Sequence, residues 1–287
     1  LLTPRGGIVV GDAYSDFNPE RIILNDWIAG GPILQPADVG DFFPGDILGI
    51  IDYSYSNFKL QVISMPAMTD GGLTQEIADT KGGLELSVAT FNVENLDPTD
   101  PAAKFADLAN LVVTNLQSPD IIAIEEVQDN NGATNDAVVA ADVTWATLIA
   151  AIQAAGGPLY EYRQIEPVDD SEGGEPGGNI RVGFLFRTDR GVAFVDRPGA
   201  TALTANAAGA SPTGGVQLAY SPGRINPTSA AFTDSRKPLA GEFTFRGQTV
   251  IVIANHFASK GGDEPLYGFN QPPVLASEVQ RQLQAEE

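Results

Sequence analysis

From residue 86 onward, short apolar runs first alternate with amphipathic stretches and then follow one another, an order that leaves few folds open. Leu86–Asn92 reads as a strand, and Ala102–Leu116 reads as a helix with Phe105, Leu108, Ala109, Val112 and Leu116 along one stripe. Asp120–Val127 follows as a strand with an apolar core, and Val143–Ala154 as a second helix. Further strands are expected at Tyr160–Glu166, Arg181–Arg187, Val192–Val195, Leu239–Phe245 and Thr249–Asn255. Strands interleaved with helices and then consecutive strands predict a mixed-sheet α/β or α+β domain. The stretch 197–236, rich in Thr, Ala, Asn, Gly, Ser and Pro, reads as one long loop, functional or disordered at that length.

The chain before residue 86 has a different character. Pro44-Gly45-Asp46 is a turn, Ile47–Tyr53 a strand and Phe58–Ile63 a second strand, as in a small β-barrel or sandwich. Gly71-Gly72 and Gly82-Gly83 punctuate a stretch without periodicity. The expected organisation is a β-rich module over 1–66, a linker over 67–84 and an α/β domain over 85–287. From Leu275 the sequence LASEVQRQLQAEE predicts a helix with Leu275, Val279 and Leu283 recurring every four residues. No Gly, Asn or Pro ends it, so the chain reads as a fragment that stops inside a helix.

Composition narrows the chemistry. There is no cysteine, which excludes disulfides, thiolate metal sites and a cysteine nucleophile. No apolar run approaches the about 18 residues of a membrane helix. The net charge of −21 argues against a polyanionic partner. The acid is uneven, however: residues 85–176 carry 2 basic and 17 acidic groups, whereas residues 177–229 carry 5 basic and 2 acidic ones. Only five of the sixteen basic residues are Lys, a balance that points to a secreted or cell-surface protein of bacterial type.

Three of the expected strands finish on a polar residue. Strict alternation puts Leu86, Val88 and Thr90 on a face with Asn92, Ile122 and Ile124 with Glu126, and Val250, Val252 and Ala254 with His256. A carboxylate that continues a buried face is costly without a partner such as a metal ion. If the three ends meet at one sheet edge, a carboxylate, an amide and an imidazole surround one point, a set suited to a hard divalent cation and a phosphate. Taken singly, Glu126 also reads as a solvated loop residue, Asn92 as a turn or cap residue, and His256 as a structural histidine.

The strings ATFNVENL (Ala89–Leu96), IIAIEEVQD (Ile121–Asp129), NIRVGFLFR (Asn179–Arg187), DSRKPLAGEF (Asp234–Phe243) and IANHFASKGGD (Ile253–Asp263) resemble the endonuclease/exonuclease/phosphatase family in order and spacing. Within it they are most similar to bacterial extracellular nucleases, and more distantly to pancreatic deoxyribonuclease. The resemblance implies a four-layer α/β sandwich of two packed β-sheets and a metal-dependent phosphodiesterase that cuts nucleic-acid backbones, DNA ahead of RNA. It makes Glu126 the Mg²⁺ ligand (Mn²⁺ or Ca²⁺ being alternatives) and Asn92 a polar group beside metal and phosphate. It makes His256 the imidazole on the scissile phosphate, with Arg236 and Lys260 holding substrate phosphate.

Two departures accompany the likeness. The family pattern continues with an Asp-x-Asn element and a terminal Asp-His pair that are not among these residues, so the fragment is expected to be inactive alone. The glutamate that orients the first histidine in pancreatic deoxyribonuclease is matched here by Ile180. The amino-terminal PGDILGIIDYSYSNFKLQ resembles an OB-like module, with Tyr53, Tyr55 and Phe58 reading as packing and turn residues rather than a nucleic-acid platform. Rival readings keep the fold with a phosphomonoester or phospholipid head group as substrate, or make the chain a non-catalytic surface module.

Overall fold

A computed structural model of the chain describes residues 22–29, 34–55, 57–212, 214–265, 270 and 272–287. In chain order its main elements are β1 (Ile23–Asn25), β2 (Leu48–Ser54), β3 (Asn57–Ser64), β4 (Val88–Leu96), α1 (Ala102–Asn110), β5 (Ile121–Val127), α2 (Asp142–Ala154), β6 (Tyr160–Gln164), β7 (Arg181–Arg187), β8 (Val192–Phe194), β9 (Ala208–Ala210), β10 (Val216–Leu218), β11 (Gly223–Arg224), β12 (Leu239–Phe245), β13 (Gln248–Ala254) and α3 (Glu278–Glu286). They fall into two compact units: residues 1–75 with 259–279, and residues 76–258 with 280–287.

In the first unit β2 and β3 form an antiparallel hairpin, and β1 adds parallel to β3. Among the described residues this is an open three-stranded sheet and not the closed barrel that an OB-like module would make. Three strands are too few to close. Val62 is fully buried, while Ile50, Ile51, Phe58 and Ile63 stay at least half exposed. The part of the expected module before residue 22 lies outside the described residues.

The second unit is an α/β sandwich. Its first sheet runs β4-β5-β7-β6, with β4 and β5 parallel and the other pairs antiparallel. In the second sheet β12 pairs with β13, β11 and β8, all antiparallel. One face of the first sheet packs on α1 and α2, with Ile122, Ile124, Val127, Phe105, Leu108 and Trp145 among the buried residues. The other face meets the second sheet, where Ile121, Phe184 and Phe186 pack against Phe243 and Ala254. Gly183 is needed in β7, because a Cβ there would lie 2.6 Å from the buried Trp145 ring. That indole stacks on Tyr162 at 5.3 Å and donates to Gln164 Oε1 at 2.7 Å.

Two expectations are corrected. The stretch 197–236 carries β9, β10, β11 and a 3-10 turn, Ala230–Phe232, rather than one loop. Polar side chains organise it: the buried Glu242 carboxylate receives the Arg197 guanidinium and the Leu218 N–H, and Asn206 bonds both the N–H and the C=O of Tyr220. Such contacts leave no periodicity. In α3, Val279 and Leu283 are exposed and Gln284 is the buried residue, so the apolar stripe is not the packing face.

Candidate active site at the strand ends

The carboxyl ends of β4 and β5 break the alternation on which the sequence argument rests. Register partners across a sheet share a face, and Thr90 pairs with Ala123 and Asn92 with Glu125, which puts all four on the face toward the second sheet. Regular pleating would send Glu126 to the opposite face with Ile122 and Ile124. Instead the ladder shifts register after Ile124, Glu126 adopts φ +64°, and Val127 packs with Ile122 and Ile124 on the helix side. A bulge of this kind turns the strand by one side chain. Glu125 and Glu126 therefore both reach the Asn92 face, and the face expected for Glu126 is corrected. The Asn92 face of β4 is also not buried: Val88 is 49% exposed, and it is Ala89, Phe91 and Val93 that pack inward.

Hydrogen bonds fix the two carboxylates. Asn92 Nδ2 donates to Glu126 Oε1 at 2.8 Å, and the Asn95 N–H donates to Glu126 Oε2 at 3.1 Å. Asn92 is itself held, since its Oδ1 accepts from the Glu94 N–H at 2.8 Å. Thr90 Oγ1 donates to Glu125 Oε1 at 2.6 Å.

His256 arrives from the second sheet by ordinary alternation. Val252 and Ala254 pack between the sheets, and two residues on the imidazole Nε2 lies 3.3 Å from Glu126 Oε1. Arg236 Nε donates to His256 Nδ1 at 3.1 Å, and the same guanidinium bonds the Phe257 carbonyl at 2.6 Å. Arginine only donates, so Nδ1 is the acceptor and the ring proton of neutral His256 belongs on Nε2, facing Glu126. Burial lowers the His256 pKa and Arg236 lowers it further, against the opposing pull of Glu125 and Glu126, which favours that neutral ring near pH 7.

Asn92, Glu126, His256 and Arg236 thus form one connected set. Arg236 is 6% exposed and sits behind the imidazole. It takes the orienting position at Nδ1; Ile180 is buried and apolar. Lys260 is exposed and falls in the other compact unit. A cavity of about 1100 Å³ between α2 and β6 contains none of these residues, so connected polar groups and not cavity size mark the site.

Sequence reasoning missed two members. Glu125 was hidden because two consecutive residues share a face only across a bulge; the doublet Glu125-Glu126 at a strand end is its signal. Gln284 was hidden because it looks like a solvated helix residue. Its Oε1 accepts from the Ala258 N–H at 2.8 Å, and its Nε2 donates to Ser235 Oγ at 2.8 Å and to the Ala231 carbonyl at 3.0 Å. It clamps the segments that carry His256 and Arg236.

Among the described residues no three His, Cys, Asp or Glu side chains are grouped to hold a metal. The Glu126 carboxylate is bonded by an amide and a backbone N–H rather than by Lys or Arg, and a cation such as Mg²⁺, which takes one or two carboxylates and keeps most of its water, would need no more from the protein than that.

Residues 2–70 match a family model described as Domain of unknown function (DUF8508). No curated protein matches the chain. Among solved structures, an endonuclease/exonuclease/phosphatase family protein from Leptotrichia buccalis C-1013-b aligns with 70% of this chain at 14% identity and a TM-score of 0.36. The chain spans 61% of that structure's length. No helix among the described residues is long and apolar enough to cross a membrane.

Proposed function

We propose that the second unit belongs to a divalent-metal-dependent hydrolase that cuts phosphodiester bonds in nucleic acid, DNA ahead of RNA. The observation that carries this reading is the chain of contacts Asn92–Glu126–His256–Arg236 across the ends of two packed sheets. It joins residues that the family-like strings single out one by one.

Each residue has a definable task in this reading. Glu126 holds the cation, and Asn92 with the Asn95 N–H keeps the carboxylate in a single orientation. When bound there, Mg²⁺, or in its place Mn²⁺ or Ca²⁺, would supply neutralisation of the charge that develops on the phosphate as water attacks in line. His256 presents Nε2–H to a non-bridging or leaving oxygen of the phosphate. Arg236 locks the tautomer that makes this donation possible, in the way that a second-layer hydrogen bond orients a metal-site histidine. His256 is the chain's one histidine, and as the Nε2–H donor it does not itself serve as the base for the water. Its low lysine share leads us to place the protein outside the cell.

The test uses the natural protein that carries these residues, with supercoiled plasmid and a structured RNA as substrates and Mg²⁺ or Mn²⁺ present. Cleavage that stops with chelator and falls in Glu126→Gln supports the proposal. Cleavage indifferent to chelator removes the metal role. Hydrolysis of a phosphomonoester or a phospholipid head group in place of either nucleic acid moves the substrate elsewhere.

A further inference from the structure

The first unit carries a polar pocket that the proposed reaction does not use. Register places Ile23, Lys59 and Asp52 in one row across the sheet and Asn25, Gln61 and Ile50 in the next, so Asn25, Asp52, Lys59 and Gln61 share a face. With Trp27 and Tyr55 they line a cavity of about 540 Å³. The polar groups have defined positions. Asp52 Oδ2 accepts from Gln61 Nε2 at 3.2 Å and from Ser54 Oγ at 3.1 Å. Gln61 is 4% exposed, and its Oε1 is a buried acceptor with no partner. Leaving a buried acceptor unpaired is costly, and a ligand donor that reached it would recover that cost.

The two rings at this pocket are the most exposed large apolar side chains described: Tyr55 is 88% and Trp27 83% exposed. The Trp27 backbone N–H donates to Asn25 Oδ1 at 2.9 Å, which fixes the main chain there, and Lys59 Nζ lies 4.8 Å from the Tyr55 ring centroid. Tyr55 adopts φ +50°, and its carbonyl accepts from Asn57 Nδ2 at 2.7 Å. A tight turn that keeps a tyrosine ring in water needs a reason other than core packing.

Two flat apolar faces beside a cluster of donors and acceptors suit a ligand with an apolar ring face and hydroxyl edges. Charge selects among such ligands. Residues 22–70 hold one basic side chain, Lys59, against six Asp, a field that repels a phosphate backbone. We propose that this pocket binds a neutral carbohydrate chain, with sugar rings laid on Trp27 and Tyr55 and hydroxyls bonded by Asp52, Lys59, Asn25 and Gln61. The inference is independent of the hydrolase reading, because no residue of the strand-end site takes part.

The chain itself supplies a reporter. It has two tryptophans, and Trp145 is fully buried, so iodide quenching of fluorescence reports on Trp27. Soluble β-1,3-glucan, β-1,4-xylan and β-1,4-mannan are titrated with the 287-residue chain, with oligo(dT) as the polyanion. At least one polysaccharide is expected to shield Trp27. Tyr55→Ala, a change at an exposed position, is expected to weaken that binding about ten-fold, and affinity electrophoresis in the same polysaccharide gives a second readout. Shielding by none of the three, shielding by oligo(dT) alone, or full affinity in Tyr55→Ala would overturn the proposal.

Discussion

The ends of β5 and β13 deliver the two central side chains of the candidate site by opposite means. At β13 simple alternation suffices: Val252 and Ala254 pack between the sheets, and His256 continues their face. At β5 alternation fails, and a left-handed residue at Glu126 turns a carboxylate from the helix side to the side facing the second sheet. The regular end needs no strain. The irregular end carries about 1–3 kcal/mol of local strain, which the bonds from Asn92 and Asn95 offset. Alternation therefore gives the face of His256, whereas the face it gives for Glu126 is the opposite of the one the bulge produces.

The largest expected effect comes at the irregular end. Glu126→Gln keeps the shape and most acceptors but removes the charge. In the natural protein, cleavage of plasmid DNA should fall about 10²- to 10³-fold, the scale for losing one electrostatic group at a reacting phosphate. Mn²⁺ affinity, followed by electron paramagnetic resonance, should fall with it. An unchanged Mn²⁺ affinity would break the comparison, because the bulge would then have no cation to serve.

At the regular end the orienting group, not the strand, does the positioning. Arg236→Met should let the neutral imidazole sample both tautomers and lower the turnover number about 10- to 100-fold with KM little changed. The discriminating readout is ¹⁵N chemical shift: native His256 is expected as the Nε2–H form and the variant as a mixture. A purely structural Arg236 would lower stability and leave the tautomer alone.

How legible the fold was follows the same division. Strands buried on both faces, such as Arg181–Arg187 and Leu239–Phe245, occur with the boundaries that their apolar runs predict. The 102–116 helix is present but changes to a π-type turn at Leu111–Asn115. What stayed hidden depends on side-chain hydrogen bonds with no sequence period: Glu242 ordering the 197–236 stretch, Thr90 and Asn92 holding consecutive carboxylates, and Gln284 bridging two loops. The α3 stripe of Val279 and Leu283 was legible and misleading, since helical spacing says which residues share a face but not which face is buried.

That last contrast gives a prediction of intermediate size. Gln284→Ala removes the acceptor of the Ala258 N–H and the donor to Ser235 Oγ, while the Ala231 carbonyl keeps its bond from Gln280 Nε2, and should cost about 1–3 kcal/mol in urea unfolding. Leu283→Gln, one position away on the exposed side, should fall within about 0.5 kcal/mol of the native chain. Equal effects would mean that the apolar stripe contributes as much as the glutamine clamp.

The smallest effect separates the strained end from the unstrained one most directly. Glu94 lies within the register shift at the end of β4 with φ +54°, its side chain is exposed, and its backbone N–H and C=O bond Asn92 and Lys104. A left-handed conformation costs an ordinary residue about 1–2 kcal/mol and glycine almost nothing. Glycine also loses more freedom on folding, by about 0.5–1 kcal/mol. Glu94→Gly should therefore stabilise the chain by about 0.5 kcal/mol, the difference between the two effects. Asn255, exposed and without a positive φ beside His256, has no such strain to relieve. Asn255→Gly should instead destabilise by about 0.5–1 kcal/mol. Thermal unfolding of the pair tests the opposite signs, and a shift in the same direction for both would show that the β4 and β5 ends are no more strained than the end of β13.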